Sequence, residues 1–156
     1  MRVYLPATAA DLSAPQIGPR TAYAVTPALA RALPDEDEEA LEASAGLCAA
    51  DASLTLLAAP GAEALADRRI VIAADVGTAQ VAEPEASGDV LPGTVRVKAP
   101  VAWEAVAALL VDESAAEADV RAARTGDEEA LERAAEADLL WYDVTEREAL
   151  AESLGV

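Results

Sequence analysis

Acidic residues follow three apolar segments that the sequence predicts to be buried strands. They are Asp75, Asp112, Glu113 and Asp143. If these strands are parallel neighbours, their carboxylates converge at one edge of the sheet, where α/β proteins usually bind ligands. Carboxylate oxygens bind Mg²⁺ or Mn²⁺ without histidine or cysteine. This pattern therefore predicts a divalent-metal-dependent hydrolase or phosphotransfer enzyme as one alternative.

A structural role accounts for the same four acids. A chain that leaves a buried strand needs polar residues, and Asp112 and Asp143 each precede a predicted helix start. In an antiparallel sheet the acids would lie at opposite edges. The sequence has no phosphate-binding glycine loop that would support the metal interpretation. We favour the structural role.

Asp51 is a third catalytic candidate beside Asp75 and Asp143. It falls near Cys48, inside or at the border of the apolar face of the longest predicted helix. An unpaired carboxylate there has a raised pKa and is suited to proton transfer. A boundary position, or an ion pair with Arg31 or Arg69, is the alternative that we favour.

The residues that usually carry chemistry near neutral pH are almost missing. The chain of 156 residues has no histidine, one cysteine and 29 acidic residues, and its net charge is −18. Such a charge repels nucleic acid and anionic membranes, so we expect neither as a partner. It leaves a basic protein partner, a cation or simple solubility. One cysteine forms no internal disulfide, which favours the cytoplasm.

Two further features suit binding better than catalysis. Arg68 with Arg69, and Arg96 with Lys98, are basic pairs that could bind an anion if neighbouring strands bring them together, although we favour charge balance of the acidic surface as their role. Adjacent residues of a strand point to opposite faces, so Trp141 and Tyr142 cannot both lie in one core. We expect one of these rings to pack inside and the other to be exposed at a protein contact.

The pattern of apolar residues predicts an α+β fold in one domain, residues 1–156. We expect a mixed sheet of about six strands, packed by alanine-rich helices, with no apolar run of membrane-spanning length. The longest helix is predicted over 37–59, with Leu47, Leu54 and Leu57 on its apolar side and Ser53 opposite. A loop over 77–93 divides the chain.

The two halves resemble each other. The six residues 37–42 recur unchanged at 127–132, and each copy opens a predicted helix. This repeat suggests two β-α-β-α-β units, residues 1–76 and 94–144. Convergence explains it as well, since acidic residues stabilise helix starts and these residue types are common helix formers.

Four segments carry a resemblance to a known family: 3–8 (VYLPAT), 22–29 (AYAVTPAL), 69–76 (RIVIAADV) and 139–142 (LLWY). Together they resemble a family of short actinobacterial proteins of unknown function. The resemblance covers most of the chain and implies a cytoplasmic protein from a high-GC bacterium. It implies no activity, cofactor or catalytic residue.

The sequence as a whole predicts a non-catalytic interaction domain that binds a protein partner or forms a homodimer. We expect no cofactor, and Mg²⁺ or Mn²⁺ only if the metal-dependent alternative holds. The order and direction of the strands separate the two hypotheses, because only parallel neighbours bring the strand-end acids together.

Overall fold

Seven strands form one sheet in the computed structural model, which describes residues 1–84 and 90–156. The strands are β1 (Arg2–Ala7), β2 (Arg20–Tyr23), β3 (Ile70–Asp75), β4 (Val81–Ala82), β5 (Thr94–Val97), β6 (Val106–Asp112) and β7 (Leu139–Tyr142). The helices are α1 (Ala9–Leu12), α2 (Pro27–Ala32), α3 (Glu38–Ala58), α4 (Glu117–Ala123), α5 (Glu128–Glu136) and α6 (Arg147–Ser153). The α+β class is thus confirmed.

The strand order is β4-β5-β2-β1-β3-β6-β7, and every neighbouring pair is antiparallel. The predicted sheet of about six strands has seven, and the expectation that it would be mixed is wrong because all its neighbouring strands are antiparallel. β2 and β3, which flank the long helix, do run in the same direction, but β1 lies between them. The seventh strand, β4, falls within the predicted loop 77–93, of which residues 85–89 lie outside the described residues.

The strands of the first predicted half lie together in the centre of the sheet, and those of the second half flank them. β5 pairs with β2 on one side and β6 pairs with β3 on the other. One sheet thus joins both halves, and the internal repeat stays a prediction.

Small and medium-sized apolar side chains fill the space on both faces of the sheet. One face packs against α1 and α6, around residues such as Leu5, Ile72 and Leu109, none of which contacts solvent. The other face packs against α3, around Val71 and Ala73. Because phenylalanine is absent, the core depends on close approach of backbones rather than on large rings.

α3 lies on the sheet through its smallest residues. Asp37 caps its first turn by accepting a hydrogen bond from the backbone N–H of Ala40 at 2.9 Å, as the predicted helix start requires. Its buried face includes Ala45, Ala49 and Ser53, whereas Leu47 is 54% exposed. The predicted apolar side was therefore partly wrong, because close packing on a sheet selects side-chain size rather than hydrophobicity.

The length and composition of α3 would also allow it to cross a membrane, which the sequence analysis did not expect. Here the helix packs on the sheet as a core helix does, and 44% of its most apolar window is buried. Core helices of soluble domains meet the same criterion.

Ser53 joins the helix to the sheet. Its hydroxyl donates to the carbonyl oxygen of Ala7 at 2.7 Å and accepts from the N–H of Ile70 at 3.0 Å. Ala7 and Ile70 are the last register partners of β1 and β3. The buried hydroxyl thus bridges the end of this strand pair and fixes where α3 sits.

A buried ion pair joins β3 to β6. The carboxylate of Asp112, at the end of β6, accepts from the Arg69 backbone N–H at 2.8 Å and from its guanidinium Nε and Nη2 at 2.9 and 2.8 Å. Both side chains are almost fully buried. The Arg69 guanidinium also donates to the carbonyl oxygen of Ala137 at 3.2 Å, which positions the chain just before β7.

Replacing Ser53 with alanine tests its bridging role. The Ser53→Ala variant leaves a buried carbonyl and a buried N–H without their partner, so we expect the free energy of unfolding to fall by about 2 kcal/mol or more. The control is Ser44→Ala on the same helix, at a half-buried position. Urea denaturation measures both variants, and equal stabilities would contradict the bridge.

Replacing Asp112 with asparagine tests the buried pair. The Asp112→Asn variant keeps the shape of the side chain but leaves the Arg69 charge uncompensated, at an expected cost of about 3–5 kcal/mol. The control is Asp75→Asn, which breaks the exposed pair between Arg2 and Asp75 and should cost about 1 kcal/mol or less. Chemical denaturation measures the free energy of unfolding of both variants. Similar decreases would show that the buried Arg69–Asp112 pair contributes no more to stability than the exposed pair.

Candidate functional site

The sheet separates the acids that the metal hypothesis requires. Because β3 and β6 are antiparallel, Asp75 lies at one end of this strand pair and Asp112 at the other. Asp143 follows Tyr142, which pairs with Leu109 on the side of β6 away from β3. The condition for convergence, parallel neighbouring strands, is therefore not met, and residues 1–84 and 90–156 contain no group of three or more Cys, Asp or Glu side chains that could hold a metal ion.

Local hydrogen bonds occupy two of these acids. The Arg2 guanidinium donates to Asp75 at 2.8 and 3.0 Å and thereby lowers the pKa of that carboxyl. Asp143 accepts from the backbone N–H and the hydroxyl of Thr145 at 2.9 and 2.8 Å, which lowers its pKa as well. Glu113 is exposed where a short 3₁₀ helix begins. These contacts fit the structural role that we favoured for the acids.

A groove runs between the C-terminal half of α3 and the neighbouring strands. Pro6 has no N–H to donate, and β1 is in register with β2 only at Tyr4 and Tyr23. Beyond that point the Arg20 guanidinium donates to the Pro6 carbonyl oxygen at 2.9 Å and to both carboxylate oxygens of Asp11. This neutralised pair and Pro6 line a cavity of about 910 Å³.

Three titratable side chains line the same groove: Tyr23, Cys48 and Asp51. Partial burial raises the pKa of the Asp51 carboxyl, and the positive charge of Arg69 opposes that rise. Burial also raises the pKa of Cys48 and of Tyr23, and in each the negative charge of Asp51 adds to the effect. Asp51 is exposed at the groove wall and, among the described residues, forms an ion pair with neither Arg31 nor Arg69, so of the two alternatives that we favoured the boundary position describes it.

A second cavity of about 660 Å³ continues the groove across β2 towards β5. Arg96 and Lys98 line it and are exposed, and their spacing of two residues places both on the same face of β5. Seven arginines of the described chain have carboxylate partners. Neither Arg96 nor Lys98 is among them, so within residues 1–84 and 90–156 these two cations balance no acid.

The opposite edge of the sheet exposes apolar side chains. β7 pairs only with β6, and its second edge has no strand partner in the described chain. Tyr142 packs against the core, whereas Trp141 is 62% exposed, which confirms that the two rings have different environments. Leu140 beside it is 42% exposed. All four residues of β7 are apolar or aromatic. Free edge strands usually carry a charged residue or a proline, which hinders pairing with another chain.

Sequence reasoning named Asp51 and Cys48 but missed the groove around them. The groove depends on the gap between Pro6 and β2 and on strands that pair across distant parts of the chain. One available signal was Pro6 itself, since proline inside a strand indicates a missing ladder hydrogen bond. The other was the Arg96 and Lys98 spacing, which places two cations on one face.

The raised pKa of Asp51 predicts a pH-dependent gain from its removal. Folding disfavours the charged carboxylate, so the cost is present above the folded-state pKa and vanishes below the ordinary pKa of about 3.9. We expect Asp51→Asn to raise the urea midpoint at neutral pH, with a gain that shrinks as the pH falls. Asp75→Asn should show the opposite sign, because Arg2 lowers that pKa. A gain for Asp51→Asn that does not change with pH would contradict this electrostatic origin.

Comparison with known proteins gives a family and no activity. No curated protein and no solved structure matches the chain. The model of a family of unknown function, DUF6912, matches residues 1–151. This agrees with the resemblance carried by the four sequence segments. The chain belongs to the family of unknown function DUF6912.

Proposed function

We propose that the protein is a non-catalytic interaction domain that binds an extended segment of a basic protein by strand addition at β7. The observation that carries the proposal is the exposed pair Leu140 and Trp141 on an edge strand. Alternate residues of an antiparallel strand direct their N–H and C=O groups away from their partner, so β7 offers a template for one more strand. The proposed function requires no cofactor.

Charge favours a basic segment over a second copy of the chain. Acidic residues flank β7 on both sides, and they include Glu136, Asp138, Asp143 and Glu146. In an antiparallel homodimer centred on β7, the acids before one strand would approach the acids after the other, and like charges across strands are destabilising. A segment with an apolar centre and basic flanks meets complementary charge at both ends instead.

Trp141 supplies the expected anchor. A buried tryptophan covers about 150–250 Å² of apolar surface, and tryptophan is among the residues that most often dominate binding energy. The other tryptophan, Trp103, is buried and donates its indole N–H to the carbonyl oxygen of Ala14 at 2.9 Å. Changes in tryptophan fluorescence on binding therefore report on Trp141.

A cytoplasmic location belongs to the same proposal. Its support is the single cysteine, Cys48, which is free in the structure and leaves the fold without need of an oxidising compartment. An actinobacterial origin, which the resemblance implies, stays a prediction.

Titration with two synthetic peptides tests the strand-addition proposal. One peptide alternates lysine with valine, and the other alternates glutamate with valine. We expect the basic peptide to shift the Trp141 emission to shorter wavelength at low ionic strength, with an affinity that falls as salt is added. The acidic peptide should cause no shift.

Two variants separate edge binding from general attraction of a basic peptide to an acidic protein. Trp141→Ala removes the anchor, whereas Leu131→Ala removes an equally apolar side chain on α5 that is 42% exposed. Calorimetric titration should show a loss of affinity of about tenfold or more for Trp141→Ala only. Equal affinities for the two variants would contradict the proposal, as would a Trp141-dependent dimer that strengthens with added salt.

A further inference from the structure

Two adjoining cavities over β2 carry charges of opposite sign on their outer sides, and we refer to them together as the trough. Pro19, Arg20, Thr21, Tyr23 and Leu91 line both cavities, so the two lie side by side along these residues. The trough lies at the β5 side of the sheet, away from the β7 edge.

Among residues 1–84 and 90–156, the charged side chains of the trough do not all neutralise one another. Arg20 and Asp11 neutralise each other at 2.9 Å and leave no net charge on the floor. Asp51 remains on the α3 side, and Arg96 and Lys98 remain on the β5 side. The ring of Tyr23 lies between them, and Leu56 and Leu65 add apolar wall. A complementary ligand has a cation at one end, an anion at the other and an apolar body between.

We propose that this trough binds a short zwitterionic peptide, with its ammonium group at Asp51 and its terminal carboxylate at Arg96 and Lys98. The apolar side chains of the peptide would lie over Tyr23 and Leu56. This site is independent of strand addition at β7, because the two share no residue.

The width of the trough sets a minimum length for the peptide. Asp51 lies on one side of β2, and Arg96 and Lys98 lie on the other. The distance between the neighbouring strands β2 and β5 alone is about 4.8 Å, and one extended residue of a peptide spans only about 3.4 Å. A single amino acid is therefore too short to reach both ends. A cavity of about 910 Å³ with its 660 Å³ extension is large enough for a ligand of peptide size.

The net charge of the protein also explains why the terminal carboxylate of the peptide would bind only beside Arg96 and Lys98. The protein carries a net charge of −18, so a free carboxylate is repelled from most of its surface. Arg96 and Lys98 provide two cations on one strand face, and Thr21 stands opposite Arg96 in the register of β2 and β5. The hydroxyl of Thr21 lines the same cavity and can donate a further hydrogen bond.

The experiment compares the tripeptide Ala-Leu-Ala with its N-acetylated and C-amidated forms, measured by two-dimensional NMR titration of the full chain. We expect the free tripeptide to bind at millimolar concentration or better, and each blocked form to bind at least about threefold more weakly. Shifts should concentrate around Tyr23 and leave Trp141 unchanged.

Variants assign each end of the peptide. Asp51→Asn should bind the free and acetylated peptides equally, and Arg96→Gln combined with Lys98→Gln should bind the free and amidated peptides equally. The control is Arg31→Gln, which removes a cation outside the trough and should leave the preferences intact. Failure of the free tripeptide to bind, or equal binding of all three peptides by the unchanged protein, overturns the proposal. Neither result bears on the β7 edge, whose readout is Trp141.

Discussion

The buried pair between Arg69 and Asp112 sets the arrangement on which the rest of the structure depends. It joins the start of β3 to the end of β6, and its third contact reaches the chain just before β7. A buried carboxylate and guanidinium are stable only when both are fully hydrogen-bonded, so a shift of register between the two strands would break the pair. The same contacts fix the direction of both strands, and thereby keep Asp75 away from Asp112. The interaction that holds the sheet together also prevents the acids from forming a metal site.

α3 determines which part of the sheet remains open. Alanine residues and Ser53 let the helix approach the sheet closely, and the Ser53 hydroxyl fixes its position over β1 and β3. One helix cannot cover seven strands that lie about 4.8 Å apart. The uncovered regions on the two sides of α3 differ in character. The β5 side carries cations and an open trough, whereas the β7 side carries the exposed side chain of Trp141.

Local features of this fold could be predicted from the sequence, and long-range features could not. Asp37 before a helix acts through neighbouring residues, and the helix that it caps begins as predicted. The burial of Ser53 and Arg69 depends on partners 46 and 43 residues away in the chain. No pattern around either residue indicates these partners. The order of the strands could not be predicted for the same reason, because it depends on ladders between distant segments, such as β3 with β6.

In the candidate site, too, local features could be predicted from the sequence and long-range contacts could not. Asp51 was singled out by its position on the helix, and the sequence left open whether it lies at the boundary or pairs with an arginine. Arg69 is committed to Asp112, and the Arg20 guanidinium is held by Asp11 and two carbonyl oxygens. Asp51 therefore keeps its negative charge at the wall of an open groove, where it affects the pKa of Tyr23 and Cys48. The groove exists because Pro6 cannot extend the β1–β2 ladder, a local cause whose consequence appears only in three dimensions.

The distribution of charge connects the composition to the proposed roles. Most arginines form ion pairs within the protein, and each of the seven pairs joins one arginine to an acidic side chain. Because the acids exceed the cations by 18, a cation that faces an open cavity without an acid partner differs from those seven arginines. Arg96 and Lys98 are in that position within the described chain. Folding alone does not require them there, since neither bridges two elements, and binding of an anionic group gives their positions a physical reason.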